Sequence, residues 1–168
     1  MTPLKRLNQM NAHAFVRTIG HVFENSPWIA EQTFHLHPFH GVAELHEKLC
    51  NTVRSASEDQ KLALIRAHPD LVGRMAQQLT RESQSEQAAA GLTQLSSHER
   101  DAFNTWNEAY REQFGFPFVI CARENKKDAI LAAFPRRLQN SRAREIEIAI
   151  DEICKIAHLR LADAVSEE

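Results

Sequence analysis

The stretch at residues 145–161 reads EIEIAIDEICKIAHLRL. Its apolar side chains recur at offsets of three and four, which places them on one face of an α-helix. That face comprises Ile146, Ala149, Ile150, Ile153, Ile156 and Ala157. The stretch therefore predicts a long amphipathic helix with one buried side.

The same spacing recurs upstream, between residues that commonly begin or end helices. Helix starts are indicated by Asn11 as an N-cap and by three capping boxes, Ser57 with Gln60, Ser83 with Glu86, and Ser96 with Glu99. Pro27 after Ser26 suits a first helical position, and Gly115 suits a C-terminal cap. Five Gly and six Pro are few for a turn-rich β architecture. We predict an all-α fold, a single compact multi-helix domain of about seven to nine helices that spans residues 1–168.

One segment lacks helical spacing, FPFVICA at residues 116–122. Its composition predicts either a short buried strand or an extended connection. Two helices follow this segment, and Asn125 and Ser141 are their candidate N-caps.

The composition excludes several classes of partner. A formal net charge of -2 and scattered Lys and Arg residues leave no basic patch for nucleic acid or an anionic membrane. No apolar run approaches the roughly 20 residues that a membrane span requires. Three distantly spaced cysteines, without a signal-peptide pattern, predict reduced thiols and a cytoplasmic location. The expected partner is a small molecule.

His68 and Glu86 are candidate site residues that also have structural explanations. His68 follows a predicted helix that ends near Ala67, and Pro69 forces the chain to extend. This imidazole would exchange a proton near neutral pH, or it would only join a helix junction while Asp70 caps the next turn. Glu86 is explained by its capping box, yet a helix N-terminus also binds anions. Further polar groups on that edge are Ser83, Ser85 and Gln87.

Arg160 continues the apolar face of the last helix, seven residues after Ile153. One interpretation is that its guanidinium reaches solvent at the helix end, where a cation also suits the helix dipole. The other is that the guanidinium is buried and meets an anion or a hydrogen-bonding partner, because an unpaired buried charge is costly. The pattern leaves both interpretations open.

His35, His37 and His40 form a weak candidate for a metal site. Their spacing is not the helical His-x-x-x-His of zinc hydrolases, and no nearby glutamate occupies a general-base position. Histidines around a turn explain the cluster without a metal. Cys121 lies in a wholly apolar stretch with no adjacent base, which predicts an inert core thiol.

Five blocks of residues follow one another along the chain in a specific order. They are SPW at 26–28, AHPDL at 67–71, SQSEQ at 83–87 with AGL at 90–92, NEAYREQFGFPF at 107–118, and KIAHLRL at 155–161. In order and spacing these blocks resemble the 2-oxo-4-hydroxy-4-carboxy-5-ureidoimidazoline (OHCU) decarboxylases. The resemblance extends from Phe15 to Leu161, nearly the whole chain.

The resemblance implies an all-helical, homodimeric enzyme that uses no metal and no organic cofactor. It also implies that the substrate is OHCU, which is decarboxylated to (S)-allantoin and CO2 in the last step of urate conversion. By motif match, His68, Glu86 and Arg160 take the catalytic positions. The substrate-binding positions are Pro69, Ser83, Gln84, Ser85, Glu86, Gln87, Phe118, Val119, Ile120, Cys121 and Ala122.

Two other functions stay open beside the decarboxylase. A helical module with the same pocket would bind a ureide without releasing CO2. A metal hydrolase would instead use His35, His37 and His40, and a chelator would inactivate it while leaving the decarboxylase active.

Overall fold

A computed structural model describes residues 1–72 and 79–168. Within these residues the chain forms nine α-helices, two short 3-10 helices and one pair of two-residue strands. The elements are β1 (Thr2–Pro3), α1 (Leu4–Leu7), α2 (Ala12–Ile19), a 3-10 helix (Gly20–Val22), α3 (Trp28–Phe34), α4 (Val42–Arg54), α5 (Glu58–Ala67), α6 (Arg81–Ala89), α7 (Ser97–Phe114), a 3-10 helix (Ala122–Glu124), α8 (Lys127–Arg137), α9 (Arg142–Ala164) and β2 (Val165–Ser166). The prediction of an all-α fold is confirmed. Across the described ranges, no helix combines the length and apolar character that crossing a bilayer would demand.

The described chain divides into two compact units. The first unit comprises residues 1–67 and 154–168, and the second comprises residues 68–153. One boundary follows Ala67, the last residue of α5, and the other lies within α9 after Ile153. The assignment of residues 1–168 to a single domain stays a prediction.

Most of the predicted helix ends are present. The Asn11 side chain accepts from the backbone N–H of Ala14 at 2.9 Å and so caps α2. Ser57 and Gln60 bond reciprocally before α5, and Ser96 and Glu99 form a complete capping box at α7. Gly115 ends α7 in the left-handed region at φ 79°, which glycine adopts without a Cβ penalty. The Ser141 hydroxyl accepts from the backbone N–H of Arg144 before α9.

Three predicted caps are wrong: α6 is capped by another residue, and α3 and α8 begin without a side-chain cap. The hydroxyl of Thr80 accepts from the N–H of Ser83 at 3.2 Å, so α6 begins at Arg81 and Glu86 lies beyond its first turn. Ser26 donates its hydroxyl to the carbonyl of Glu24, which leaves Pro27 as the N-cap of α3. Lys126, not Asn125, precedes α8, since the Asn125 amide donates to the Cys121 carbonyl at 2.9 Å.

The second unit packs around an aromatic cluster on α7, α8 and the segment between them. Tyr110 lies among the rings of Phe114, Phe116 and Phe118, and Phe118 stacks on Phe134 with ring centroids 3.9 Å apart. Residues 116–121 form an irregular connection rather than a strand. The cluster surrounds this connection with apolar side chains.

A buried ion pair fixes the connection in place. The Arg137 guanidinium donates to the Glu145 carboxylate at 2.9 Å and to the backbone carbonyl of Val119. The Tyr110 hydroxyl donates to the same carboxylate. Burial raises the pKa of Tyr110, so its hydroxyl keeps the proton that it donates.

The capping box of α7 predicts a pH-dependent contribution to stability. Glu99 accepts from Lys127 and from the N–H of Ser96, and these bonds, the Lys127 bond foremost, lower the pKa of its carboxyl to about 2 from the usual 4.5. A carboxyl with a depressed folded-state pKa stabilises the fold above its unfolded pKa, and that stabilisation is lost as the pH falls through the folded pKa. Glu99→Gln should therefore be less stable than wild type at neutral pH. The difference should shrink as the pH falls below 4.5.

Urea unfolding of both proteins at neutral pH and at about pH 3 measures this difference. Glu112→Gln, an exposed change on the same helix, is the control. Equal stabilities at neutral pH, or a difference that persists in acid, would contradict the prediction.

Candidate active site

The predicted site residues are distributed over both units. Arg160 belongs to the first unit, and all the others belong to the second. Within the second unit they lie on three elements: the segment after α5, helix α6, and the connection between α7 and α8.

His68 begins the segment after α5, as the position of Pro69 predicts. Its side chain is buried, with 6% of its surface exposed, and Pro69 is partly buried. Asp70 forms an ion pair with Arg111. Its two carboxylate oxygens each accept from Nε of Arg111, both at 3.0 Å. A buried imidazole on a segment held by its neighbours is suited to exchange a proton at a fixed position.

The next two residues of this segment are bound through their backbone. The carbonyl of Leu71 accepts from the side-chain amide of Asn107 at 2.7 Å. The N–H of Val72 donates to Oε1 of Gln87 at 3.3 Å. Gln87, a predicted site residue on α6, is thereby joined directly to the segment that carries His68.

Helix α6 separates the predicted residues 83–87 into two groups. Ser83 and Gln87 are buried and Glu86 is partly buried, whereas Gln84 and Ser85 are exposed. Because α6 begins at Arg81, the backbone N–H groups of Ser83 and Gln84 bond to Thr80. These two N–H groups are therefore not available to an anion, and the assignment of residues 83–87 to substrate binding stays a prediction. The helical period brings only three of the five side chains to the inner face.

The connection between α7 and α8 lies beside α6. The 3-10 helix at Ala122–Glu124 packs against α6, and Nζ of Lys126 donates to the Ala89 carbonyl at the end of α6 at 3.0 Å. Among the predicted positions, Phe118, Val119, Cys121 and Ala122 are buried and Ile120 is partly buried. The second unit therefore brings the His68 segment, α6 and this connection together.

The surroundings of Cys121 also indicate where Glu86 lies. Burial, followed by the carboxylates of Glu124, Glu152 and Glu86, raises the pKa of the Cys121 thiol to about 11. The thiol is therefore protonated at neutral pH, which agrees with the prediction of an inert core thiol. The Glu86 carboxylate lies near enough to act on Cys121 through its charge. The N–H of Cys121 donates to Oε2 of Glu152 at 2.8 Å.

In the first unit Arg160 is buried and forms an ion pair. Its Nη1 donates to Oε2 of Glu24 at 2.8 Å, with 3% and 2% of the two side chains exposed. The interpretation that Arg160 reaches solvent is wrong. Glu24 lies in a tight turn. In this turn the N–H of Ser26 donates to the Phe23 carbonyl, and Asn25 adopts φ 44°.

Glu24 is the partner of Arg160, and sequence reasoning missed it. A guanidinium on an apolar face required an anionic partner, but the chain has 22 acidic residues and no local pattern selects one of them. The available signal for Glu24 was its position in the chain. It directly follows the apolar residue Phe23 and lies just before the SPW block at 26–28.

The histidine cluster in the first unit has no metal-binding arrangement. Nδ1 of His37 lies 2.6 Å from the carbonyl of Phe34, and the two rings stack with centroids 4.5 Å apart. Among residues 1–72 and 79–168, no group of three or more His, Cys, Asp and Glu side chains is placed to hold a metal ion. His35, His37 and His40 are therefore not arranged as ligands.

Comparisons with known proteins agree on one family. The sequence model of the OHCU decarboxylase family matches residues 8–162. The chain is 42% identical to the 2-oxo-4-hydroxy-4-carboxy-5-ureidoimidazoline decarboxylase of Haloferax volcanii over 98% of this chain and 97% of that protein.

Two solved structures are similar in fold and in sequence. A crystal structure of (S)-allantoin synthase matches 99% of this chain with a TM-score of 0.79 and 28% identity, and this chain spans 54% of it. A crystal structure of an OHCU decarboxylase in the presence of (S)-allantoin matches 84% of this chain, and 93% of its own, with a TM-score of 0.69 and 26% identity. Since the family match extends over nearly the whole sequence, the chain belongs to the OHCU decarboxylase family.

Proposed function

We propose that this protein decarboxylates OHCU to (S)-allantoin and CO2 in urate breakdown. The observation that carries the proposal is the family match over residues 8–162. The assembly of the His68 segment, α6 and the connection around Cys121 in the second unit supports it. The similar solved structures are those of an (S)-allantoin synthase and an OHCU decarboxylase, which also supports the proposal.

The proposed reaction needs a place for the electron pair that departing CO2 leaves behind. Many enzymes take this electron sink from an organic cofactor. The OHCU ring has its own sink, an imine carbon–nitrogen bond beside the carbon that carries the carboxylate. As the bond to the carboxylate breaks, its electron pair moves into that imine. The nitrogen takes up a proton, which leaves an enol on the carbon that carried the carboxylate. The hydroxyl of this enol then loses its proton and becomes a carbonyl, while a proton goes to the carbon that carries the ureido group and sets the configuration of the product.

His68 is proposed as the group that delivers this proton. Its buried imidazole lies between Ala67, the end of α5, and Pro69, and an imidazole can both donate and accept a proton. A rigid donor can protonate one face of a planar intermediate and leave the other untouched. Such general acid catalysis accelerates reactions by roughly 10²–10⁴-fold.

Glu86 and the connection at residues 118–122 are proposed to hold the substrate. The Glu86 carboxylate accepts hydrogen bonds from the hydroxyl or ring N–H groups of OHCU. Backbone groups of residues 118–122 pair with the ureido edge. The packing of α6, which carries Glu86, against the 3-10 helix that begins at Ala122 supports a shared role for these two elements.

Arg160 is proposed to bind oxygen atoms of the substrate. The resemblance to the family supports this role, because Arg160 takes the position of the substrate-contacting arginine. The buried position supports this role, since a charge in a poorly hydrated place interacts strongly with an anionic ligand.

The function is tested by following the optical activity of the product. Urate is converted by urate oxidase and hydroxyisourate hydrolase, with and without this protein, and circular dichroism records the (S)-allantoin formed. We expect optical activity to appear well above the spontaneous rate and to survive a chelator. A racemic product at the spontaneous rate would contradict the proposal. Ureide binding without CO2 release would identify a binding module instead, and loss of activity with chelator would identify a metal enzyme.

We also propose that the protein is a homodimer and works in the cytoplasm. The resemblance to the family supports the homodimer. Three buried cysteines outside any disulfide, Cys50, Cys121 and Cys154, support a reducing compartment. Light scattering coupled to gel filtration measures the mass in solution, and a monomer would contradict the first part.

A further inference from the structure

Three side chains hold the segment that carries His68. Gln87 accepts from the N–H of Val72, the Asn107 amide donates to the Leu71 carbonyl, and Arg111 bonds to Asp70. Asn107 and Arg111 lie one turn apart on α7, so a single helix face holds two consecutive residues of the segment.

The backbone of this segment is strained at Val72, which hydrogen-bonds to Gln87 and follows Leu71, the residue that Asn107 binds. Val72 adopts φ 60°, a left-handed conformation that is rare for a β-branched residue. Such conformations persist only where surrounding contacts over-determine them. The hydrogen bonds to Leu71 and Val72 are contacts of this kind, so losing one of them should let the segment relax.

The presence of an asparagine at position 107 is not explained by its contribution to stability alone. Its Nδ2 donates to Leu71, but its Oδ1 is buried and has no hydrogen-bond partner among the residues that the structure describes. Only 5% of the side chain is exposed. A buried acceptor without a donor is destabilising, and an apolar side chain of the same shape would avoid that cost. What the asparagine supplies in return is the bond to Leu71, three residues after His68.

We infer that Asn107 is a positioning residue for His68, with Arg111 as its support through Asp70. The inference rests on the proposed role of His68 as proton donor. Asn107 keeps the backbone of residues 70–72 in its strained form, and this form sets where the imidazole lies. The residue acts on the chemistry through the backbone and not by contact with the substrate.

Asn107→Leu tests the inference because leucine has the same branched shape without the donor. A misplacement of a catalytic group by about 1 Å can cost about 10²-fold in rate, so we expect kcat to fall by about that factor. KM should change by less than about threefold, since Glu86 and the connection at residues 118–122, which are proposed to hold the substrate, are not held by Asn107. Asn104→Leu, the same change at a partly buried position of the same helix, is the matched control and should keep wild-type kinetics.

Arg111→Gln gives an independent measurement at an exposed position, which the fold should tolerate. Partly exposed ion pairs contribute little, so the expected loss of kcat is only about two- to fivefold, again with KM unchanged. An Asn107→Leu protein that folds and keeps kcat within about threefold of wild type would overturn the inference. If Asn107→Leu does not fold, an unchanged kcat in Arg111→Gln would overturn it.

His68→Asn separates this inference from the proposed function. If His68→Asn retains full rate, the proposed proton donor is wrong and the positioning role falls with it. If His68→Asn loses its rate while Asn107→Leu and Arg111→Gln do not, only the positioning role is wrong.

Discussion

Replacing His68 with asparagine is expected to lower kcat for (S)-allantoin formation by about 10²–10⁴-fold, the range in which general acid catalysis contributes. Asparagine keeps a hydrogen-bonding group of similar reach but has no proton to give near neutral pH. The product that still forms should lose optical purity, because the spontaneous reaction has no preferred face. Circular dichroism and CO2 release, recorded on the same sample, measure both effects.

The control for this variant is His98→Asn, an exposed histidine of the second unit. It should keep both the rate and the optical purity of the wild-type product. Full rate and full optical purity in His68→Asn would show that another group delivers the proton. A lower rate with undiminished optical purity would restrict His68 to binding.

Breaking the ion pair between Glu24 and Arg160 is expected to destabilise the protein strongly. Both side chains are almost fully buried, and Nη1 of Arg160 lies 2.8 Å from Oε2 of Glu24. Removing one partner of such a pair leaves a charge in a place that water does not reach, which typically costs about 3–5 kcal/mol. Glu24→Ala should therefore lower the free energy of unfolding by about that amount, as measured by urea denaturation.

A double variant distinguishes the unpaired charge from lost packing. Glu24→Leu combined with Arg160→Met replaces both charges by apolar groups of similar size, and most of the stability should return. The exposed pair Arg144–Glu147, also joined at 2.9 Å, is the control, and Arg144→Ala should cost less than about 1 kcal/mol. If Glu24→Ala costs no more than this control, the buried pair does not stabilise the fold.

A variant of Arg160 tests whether this arginine binds the substrate as well as stabilising the fold. In Arg160→Ala, assayed at a temperature where the variant remains folded, KM should rise more than kcat falls, because a binding contact is lost. An unchanged KM would contradict the proposed contact with the substrate and leave Arg160 as a purely structural ion pair. Glu24→Gln, which keeps a hydrogen-bond acceptor beside Arg160, should affect KM less than Arg160→Ala.

Local features of the fold could be predicted because they depend on residues close together in the chain. The apolar face of α9, from Ile146 to Ala157, is buried as its spacing predicts. The capping box of Ser96 and Glu99 joins residues three positions apart, and Gly115 has a positive φ that few other residues adopt. Side chains three or four residues apart meet on any helix, whatever surrounds it.

Local patterns failed where two of them competed. Ser83 and Glu86 have the spacing of a capping box, but Thr80 accepts the Ser83 N–H and begins α6 earlier. Both arrangements are possible for an isolated peptide. In the folded chain the earlier start forms, and Ser83 becomes a buried residue within α6 instead of its cap.

The sequence by itself therefore determined the all-helical fold, most helix ends, and the motifs that place His68, Glu86 and Arg160 in the OHCU decarboxylase family. Only the tertiary structure decided which groups those motifs meet. Glu24 bonds to Arg160 across 136 residues, and Asn107 reaches the segment of His68 across 36. Such pairs form because a buried polar group needs a hydrogen-bonding partner, which can come from any part of the chain that the fold brings close. The identity of that partner leaves no periodic pattern in the sequence.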